Sequence, residues 1–189
     1  MSRFEGDFLW PASVVAIAIV APAPGAVAAT YLTVEAAQRA LFPDADAFTE
    51  LALAPTADQL LSITDASGAQ APHGELRVWA ARRAGTVVGH VFVDNVIGRA
   101  DYITYAVGID ARGALLPVEI LEYRESHGGE IRNKRWLAQF AGRTTPAELE
   151  FRADIKSIAG ATLSSEHVTQ GVRRLLAMWQ ILIRPAGGR

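Results

Sequence analysis

The chain has 189 residues, half of them hydrophobic and 20% charged, with a net charge of −2 and no cysteine. That length buries one core, and that composition excludes a disordered chain. Scattered Lys and Arg leave no basic footprint for nucleic acid. The lack of cysteine removes disulfides, thiolate chemistry, iron–sulfur ligation and c-type haem attachment.

Phe8 to Ala29 is almost wholly apolar and uncharged. Two readings of this stretch stand. Residues 1–29 form a cleaved export signal, favoured by Pro22, Pro24 and a Val27-x-Ala29 ending that suits cleavage before Thr30. Alternatively they form a retained anchor, since about 20 apolar residues suffice to span a bilayer. Either places the remainder, residues 30–189 as a single domain, in a periplasmic or other extracytoplasmic, membrane-associated setting.

From Val34 to Phe42 the pattern predicts a short amphipathic helix, with Thr33 as N-cap and Pro43 as stop. A second helix is expected over Ala57–Ile63 after Pro55-Thr56, followed by a loop from Ser67 to Gly74. Four strands come next: Leu76–Ala81, Thr86–Val93, Tyr102–Ile109 and Ala114–Tyr123. Arg82-Arg-Ala-Gly85 and Asp110-Ala-Arg-Gly113 read as hairpin connections. The class is α+β: an antiparallel sheet of about four strands, one face buried, with helices packed on one side. Glu125-Ser-His-Gly-Gly129 is a glycine turn, and a helical segment should run through Trp136 and Phe140. The last helix is expected from about Ser165 to Gln180, with Val168, Val172, Leu175, Leu176 and Trp179 on its apolar face.

The stretch leading into that helix, Asp154-Ile-Lys-Ser-Ile-Ala-Gly-Ala-Thr-Leu-Ser-Ser165, is the most informative. Two very small residues precede a hydroxyl at a helix start. Backbone N–H groups and the positive end of the helix dipole suit a phosphate there, and absent side chains let it approach. Read without further context, Ala-Thr-Leu-Ser-Ser is also an ordinary hydroxyl-capped helix start.

This run resembles the flavinylation motif of the FMN-binding domain family, found in the C and G subunits of sodium-pumping and Rnf-type electron-transport complexes. The similarity extends from about Trp79 to Met178. It includes Ile103-Thr-Tyr-Ala-Val-Gly-Ile-Asp110, the Glu125-Ser-His-Gly-Gly turn and Gln139-Phe-Ala-Gly142, in matching order and spacing. The resemblance implies that Thr162 corresponds to the threonine carrying FMN through a phosphoester. Gly160 and Ala161 correspond to its small neighbours, and Leu163, Ser164 and Ser165 to residues beside the phosphate and ribityl chain. Glu125, His127, Gly128 and Gly129 fall in a turn that approaches the flavin ring.

Two positions depart from the family pattern. Lys156 stands where an aspartate is usual, and Ala159 where serine or threonine is usual. Both lie in the part read by the flavin transferase, which moves FMN from FAD using magnesium. Trp136 is a candidate for stacking on the ring, and Lys156 a cation whose charge would favour the reduced, negative flavin. The four histidines share no metal-ligand spacing. No nucleophile–base–acid set is evident.

The expected protein is therefore an exported FMN flavoprotein that passes electrons between redox partner proteins, possible members of a membrane complex, without substrate chemistry of its own. An FMN-binding-like regulatory or interaction module without covalent flavin is the alternative. A reductase using NADH directly is disfavoured by the lack of a dinucleotide fingerprint.

Overall fold

The computed structural model describes residues 29–69, 76–124 and 128–184; the apolar stretch up to Ala28, Glu125 and His127 lie outside the described residues. Six antiparallel strands form one sheet. They are β1 (Ala29–Thr30), β2 (Ala47–Leu51), β3 (Arg77–Arg83), β4 (Thr86–Ile97), β5 (Tyr102–Asp110) and β6 (Glu119–Tyr123), in the spatial order β1-β6-β5-β4-β3-β2. The four helices are α1 (Val34–Leu41), α2 (Ala57–Ser67), the one-turn α3 (Lys134–Leu137) and α4 (Thr162–Met178). The α+β class and the antiparallel neighbours at both hairpins are as the sequence predicts.

Local chemistry accounts for the elements. Thr33 caps α1, its hydroxyl accepting from the Ala36 N–H at 3.2 Å. Thr56 and Gln59 form a reciprocal capping box on α2, satisfying two of the donors a helix start leaves open. The β3–β4 turn is a two-residue hairpin with both central residues at positive φ, Ala84 at 49° and Gly85 at 78°. That geometry matches the strand twist, and the Asp46 carboxylate steadies it by accepting from the Ala84 N–H at 2.7 Å.

Two expectations change. The sheet has six strands rather than four, because β2 adds an edge beside β3 and the two-residue β1 adds the other beside β6. In addition, both faces of the sheet are covered. Phe92, Ile103, Tyr105, Val107 and Ile109 pack against α2 and α4, while Trp79, Ala81, Val91, Val93 and Ala106 pack under α1 through Ala37, Leu41 and Phe42. The centre of β5 is buried on both sides, so its alternation separates two cores rather than core from solvent.

A buried polar cluster ties α4 to the sheet. Arg174 meets the fully buried Asp94 carboxylate at 2.5 Å, and the Tyr105 hydroxyl donates to the same oxygen at 2.8 Å. Burial, and then the Asp94 charge, push the Tyr105 phenol well above its ordinary range. Gly171 makes this possible, since a Cβ there would fall 2.0 Å from the Tyr105 hydroxyl.

Candidate functional site

α4 begins at Thr162, three residues earlier than expected, with Ala161 in the capping position. The chain reaches it through a tight turn in which the Ile158 carbonyl accepts from the Ala161 N–H at 3.1 Å. Gly160 sits at φ +84° with open space where a Cβ would be, a conformation that favours glycine. The Thr162 hydroxyl is half-buried and reaches only the Ile158 carbonyl, at 3.5 Å. That is a weak bond.

The serines behave differently from their assignment. The Ser165 hydroxyl donates to the Thr162 carbonyl at 2.9 Å and accepts from the Ile158 N–H at 3.4 Å, stapling the turn to the helix. Ser164 is also buried, whereas Leu163 is exposed. Ser165 therefore shapes the loop from behind.

The longest helix lacks the device the others have. α1, α2 and α3 each carry a side-chain cap, from Thr33, Thr56 and Asn133, and α4 carries none. An uncapped helix start of this kind, with the positive end of the helix dipole behind it, suits an anion.

Tertiary packing brings the glycine turn to this loop. Gly128 has φ +89°, and a Cβ on it would stand 2.6 Å from the Tyr123 hydroxyl and 3.3 Å from the Ala161 Cβ. Gly128 thus lies close to Ala161, 33 positions along the chain, with little room for a side chain between them. Gly129 opens the 3-10 turn that leads towards α3.

Beside the loop lies a groove of about 350 Å³ lined by Asn133, Arg135, Trp136, Gln139, Lys156 and Ile158. Trp136 is held rigidly. Its indole Nε1 donates to the Lys156 carbonyl at 2.6 Å, and its ring meets Phe140 edge-on at 5.2 Å. The Lys156 N–H donates to the Gln139 side chain at 3.0 Å, leaving the lysine side chain exposed. Ile158 both lines the groove and supplies the carbonyl of the Gly160 turn, so groove and loop are continuous.

Asn133 and Arg135 were not singled out by the sequence reading, and Gln139 and Ile158 entered it only within longer runs, without a role of their own. Asn133 was findable as an N-cap: its side chain accepts from the Arg135 and Trp136 N–H groups. The Gln139 side chain donates to the Trp136 carbonyl at 3.2 Å and accepts from the Lys156 N–H, and this second partner, 17 residues away, left no local signal.

A larger cavity of about 550 Å³ lies between the end of α2, β4 and α4, lined by Gly68, Ala69, Val96, Ile97, His167, Gln170 and Arg174. It contains none of the expected site residues. The smaller groove, which holds Trp136 and Lys156 and adjoins the Gly160 turn, is the better candidate.

Fold and site together define an α+β domain with an uncapped start to its last helix and a groove beside it. Residues 98–177 match the family model of the FMN-binding domain. Three relatives agree. The G subunit of the Na(+)-translocating ferredoxin:NAD(+) oxidoreductase complex of Acetobacterium woodii is 30% identical over 125 residues, 61% of this chain and 60% of the relative. The G subunit of the ion-translocating oxidoreductase complex of Stutzerimonas stutzeri is 28% identical over 114 residues, 54% of this chain and 50% of the relative. Its counterpart from Cereibacter sphaeroides is 29% identical over 136 residues, 66% and 59% of the two chains. The chain thus spans between half and three fifths of the length of these relatives.

The residues present fit FMN. The Gly160 turn leaves room for a phosphate at an uncapped helix start, and the adjoining groove offers an indole wall and two cations, Arg135 and Lys156. Among the described residues, no helix is long and apolar enough to cross a membrane.

Proposed function

We propose that this protein is an exported electron-transfer subunit that holds FMN at the Gly160 turn, with the phosphate esterified to Thr162. The carrying observation is the uncapped start of α4 behind Gly160, with Gly128 close to Ala161. When bound, FMN supplies the redox chemistry. The chain's residues hold and tune it: α4 N–H groups receive the phosphate, Trp136 offers a fixed apolar wall, and Arg135 and Lys156 favour negative charge in the groove. Glu125 and His127 belong to this reading as part of the turn beside the ring.

In the attachment reaction the Thr162 Oγ1 attacks the FMN phosphorus of FAD and loses its proton. The phosphoanhydride bond breaks, and AMP leaves. A flavin transferase with magnesium would catalyse this after export. Residues 1–29 would serve as the export signal or anchor and residues 30–189 as the flavin domain. β1 straddles that boundary, Ala29 pairing with Tyr123 and Thr30 with Glu122. The partners would be redox proteins of a membrane complex, a reading supported by the relatives, which are named as parts of such oxidoreductase complexes.

A second reading, FMN held without the ester or an interaction module without flavin, draws on Lys156 and Ala159. Asp154 offers no substitute for the missing aspartate, because its carboxylate accepts from the Glu150 N–H at 3.0 Å.

Coexpression with a flavin transferase discriminates. The first reading expects a mass gain of FMN minus water and flavin that survives acid precipitation. Thr162→Val should abolish the adduct and Thr162→Ser retain part of it. Free FMN bound without adduct, rescued by Lys156→Asp with Ala159→Ser, would establish the non-covalent form. No flavin in either version would refute both flavin readings in favour of the module.

A further inference from the structure

The charge on this protein is unevenly placed. The chain carries −2 overall, yet between Gly128 and Ala147 four basic residues, Arg132, Lys134, Arg135 and Arg143, face a single carboxylate, Glu130. Lys134, Arg135 and Lys156 are all exposed. Arg135 and Lys156 line the groove, Arg135 from α3 and Lys156 from the loop that precedes α4.

Four surface arginines elsewhere are neutralised in place. Arg77 pairs with Glu50, Arg83 with Asp44, Arg112 with Asp110 and Arg124 with Glu122. Among the described residues, no ion pair involves Lys134, Arg135 or Lys156. The frame beneath these cations is fixed: Asn133 caps α3, and the Lys156 backbone is bonded on both sides to Trp136 and Gln139. An uncompensated positive rim around a concave opening focuses its field outward and accelerates approach of a negative partner.

Resting on the flavin reading, we propose that Lys134, Arg135 and Lys156 form the docking surface for a soluble one-electron carrier protein whose own redox centre is ringed by acidic residues. A lipid surface fits less well. A membrane-lying helix needs an exposed apolar face beside its cations, and α3 buries its apolar residues, Trp136 and Leu137.

The test uses the flavin-loaded protein, reduced with dithionite that is then removed. The oxidants are native cytochrome c, which is basic, and its succinylated form, which keeps the same haem but is acidic. Two haem irons each gain one electron per flavin oxidised, and the proton on flavin N5 passes to the buffer. At low ionic strength the succinylated form should react about tenfold faster than the native form, the advantage collapsing near 0.5 M salt, where the screening length is only several ångströms. Lys134 stands outside the groove lining, so Lys134→Ala should reduce that preference and Lys134→Glu reduce it further, at flavin content and circular dichroism equal to wild type.

Flavin-loaded protein showing no preference, or one untouched by these variants, overturns the proposal alone. So does charge-dependent binding to phosphatidylglycerol vesicles with unchanged cytochrome rates, which would assign the rim to a membrane. Wild type that carries no flavin overturns the flavin reading itself, and this proposal with it.

Discussion

Gly128 and Gly160 share a left-handed backbone, at φ +89° and +84°, but differ in what surrounds them. A Cβ at Gly160 meets nothing within 4 Å, whereas one at Gly128 meets the Tyr123 hydroxyl at 2.6 Å and the Ala161 Cβ at 3.3 Å. The comparison Gly160→Ala against Gly128→Ala therefore isolates the crowding around Gly128. An L residue at positive φ costs about 1–2 kcal/mol, offset by about 0.4–1 kcal/mol from the stiffer unfolded chain. Gly160→Ala should thus lose about 1 kcal/mol. Gly128→Ala carries the same cost plus overpacking of about 1–3 kcal/mol, because Tyr123 is itself buried and cannot swing aside.

Urea denaturation of flavin-free protein measures both: Gly128→Ala should be the less stable by about 1–3 kcal/mol, with unchanged denaturant slope. Flavin titration should separate the variants in another way. The methyl of Gly160→Ala enters the space through which a phosphate approaches, so FMN affinity should fall at least about tenfold, about 1.4 kcal/mol. Equal stabilities would refute the crowding at Gly128, and undiminished FMN affinity in Gly160→Ala would refute the assignment of the phosphate to this loop.

Three further outcomes follow from other contacts. Asp94→Ala leaves the buried Arg174 charge uncompensated and should cost about 3–5 kcal/mol in denaturant unfolding; pairing it with Arg174→Met should restore much of that loss. Trp136→Phe removes the Nε1 bond to the Lys156 carbonyl and should cost about 1 kcal/mol by the same assay. His90 is buried and its Nδ1 accepts from the Trp179 indole at 3.1 Å, and burial holds its pKa below the ordinary histidine value. Above about pH 6.5 both folded and unfolded states are neutral and nothing is lost. As pH falls below that value the unfolded chain takes its proton first, so stability should drop by up to about 1.4 kcal/mol per pH unit until the folded pKa is reached. His90→Gln keeps an acceptor for Trp179 and should flatten this segment of the stability–pH curve.

Elements governed by neighbours in sequence were legible in advance. Thr33 and Thr56 announced α1 and α2, and Ala84-Gly85 announced a hairpin, because caps and tight turns are decided within about four residues. The edge strand β2 was not legible. Its five residues alternate weakly in burial and gain their strand character from β3, some 30 residues away. The early start of α4 was missed for a local reason: Ser164 and Ser165 resemble caps, but Ser165 bonds the Thr162 carbonyl inside the first turn. Serine can serve either role, and the packing of Ile158 selects between them.

By itself the sequence determined the α+β class, the hairpins, and the small-residue run before Thr162 that marks an anion-receiving helix start. The family match over residues 98–177 agrees with that run. Only the tertiary structure decided that Gly128 lies close to Ala161, that Trp136 is pinned to the Lys156 carbonyl, and that a groove flanked by Arg135 adjoins the Gly160 turn. It also decided that α1 covers the second face of the sheet, making the middle of β5 interior on both sides. The division has one physical cause. Dihedral preferences, caps and turns are settled among near neighbours, whereas a groove is formed by surfaces whose approach depends on the close packing of the whole core.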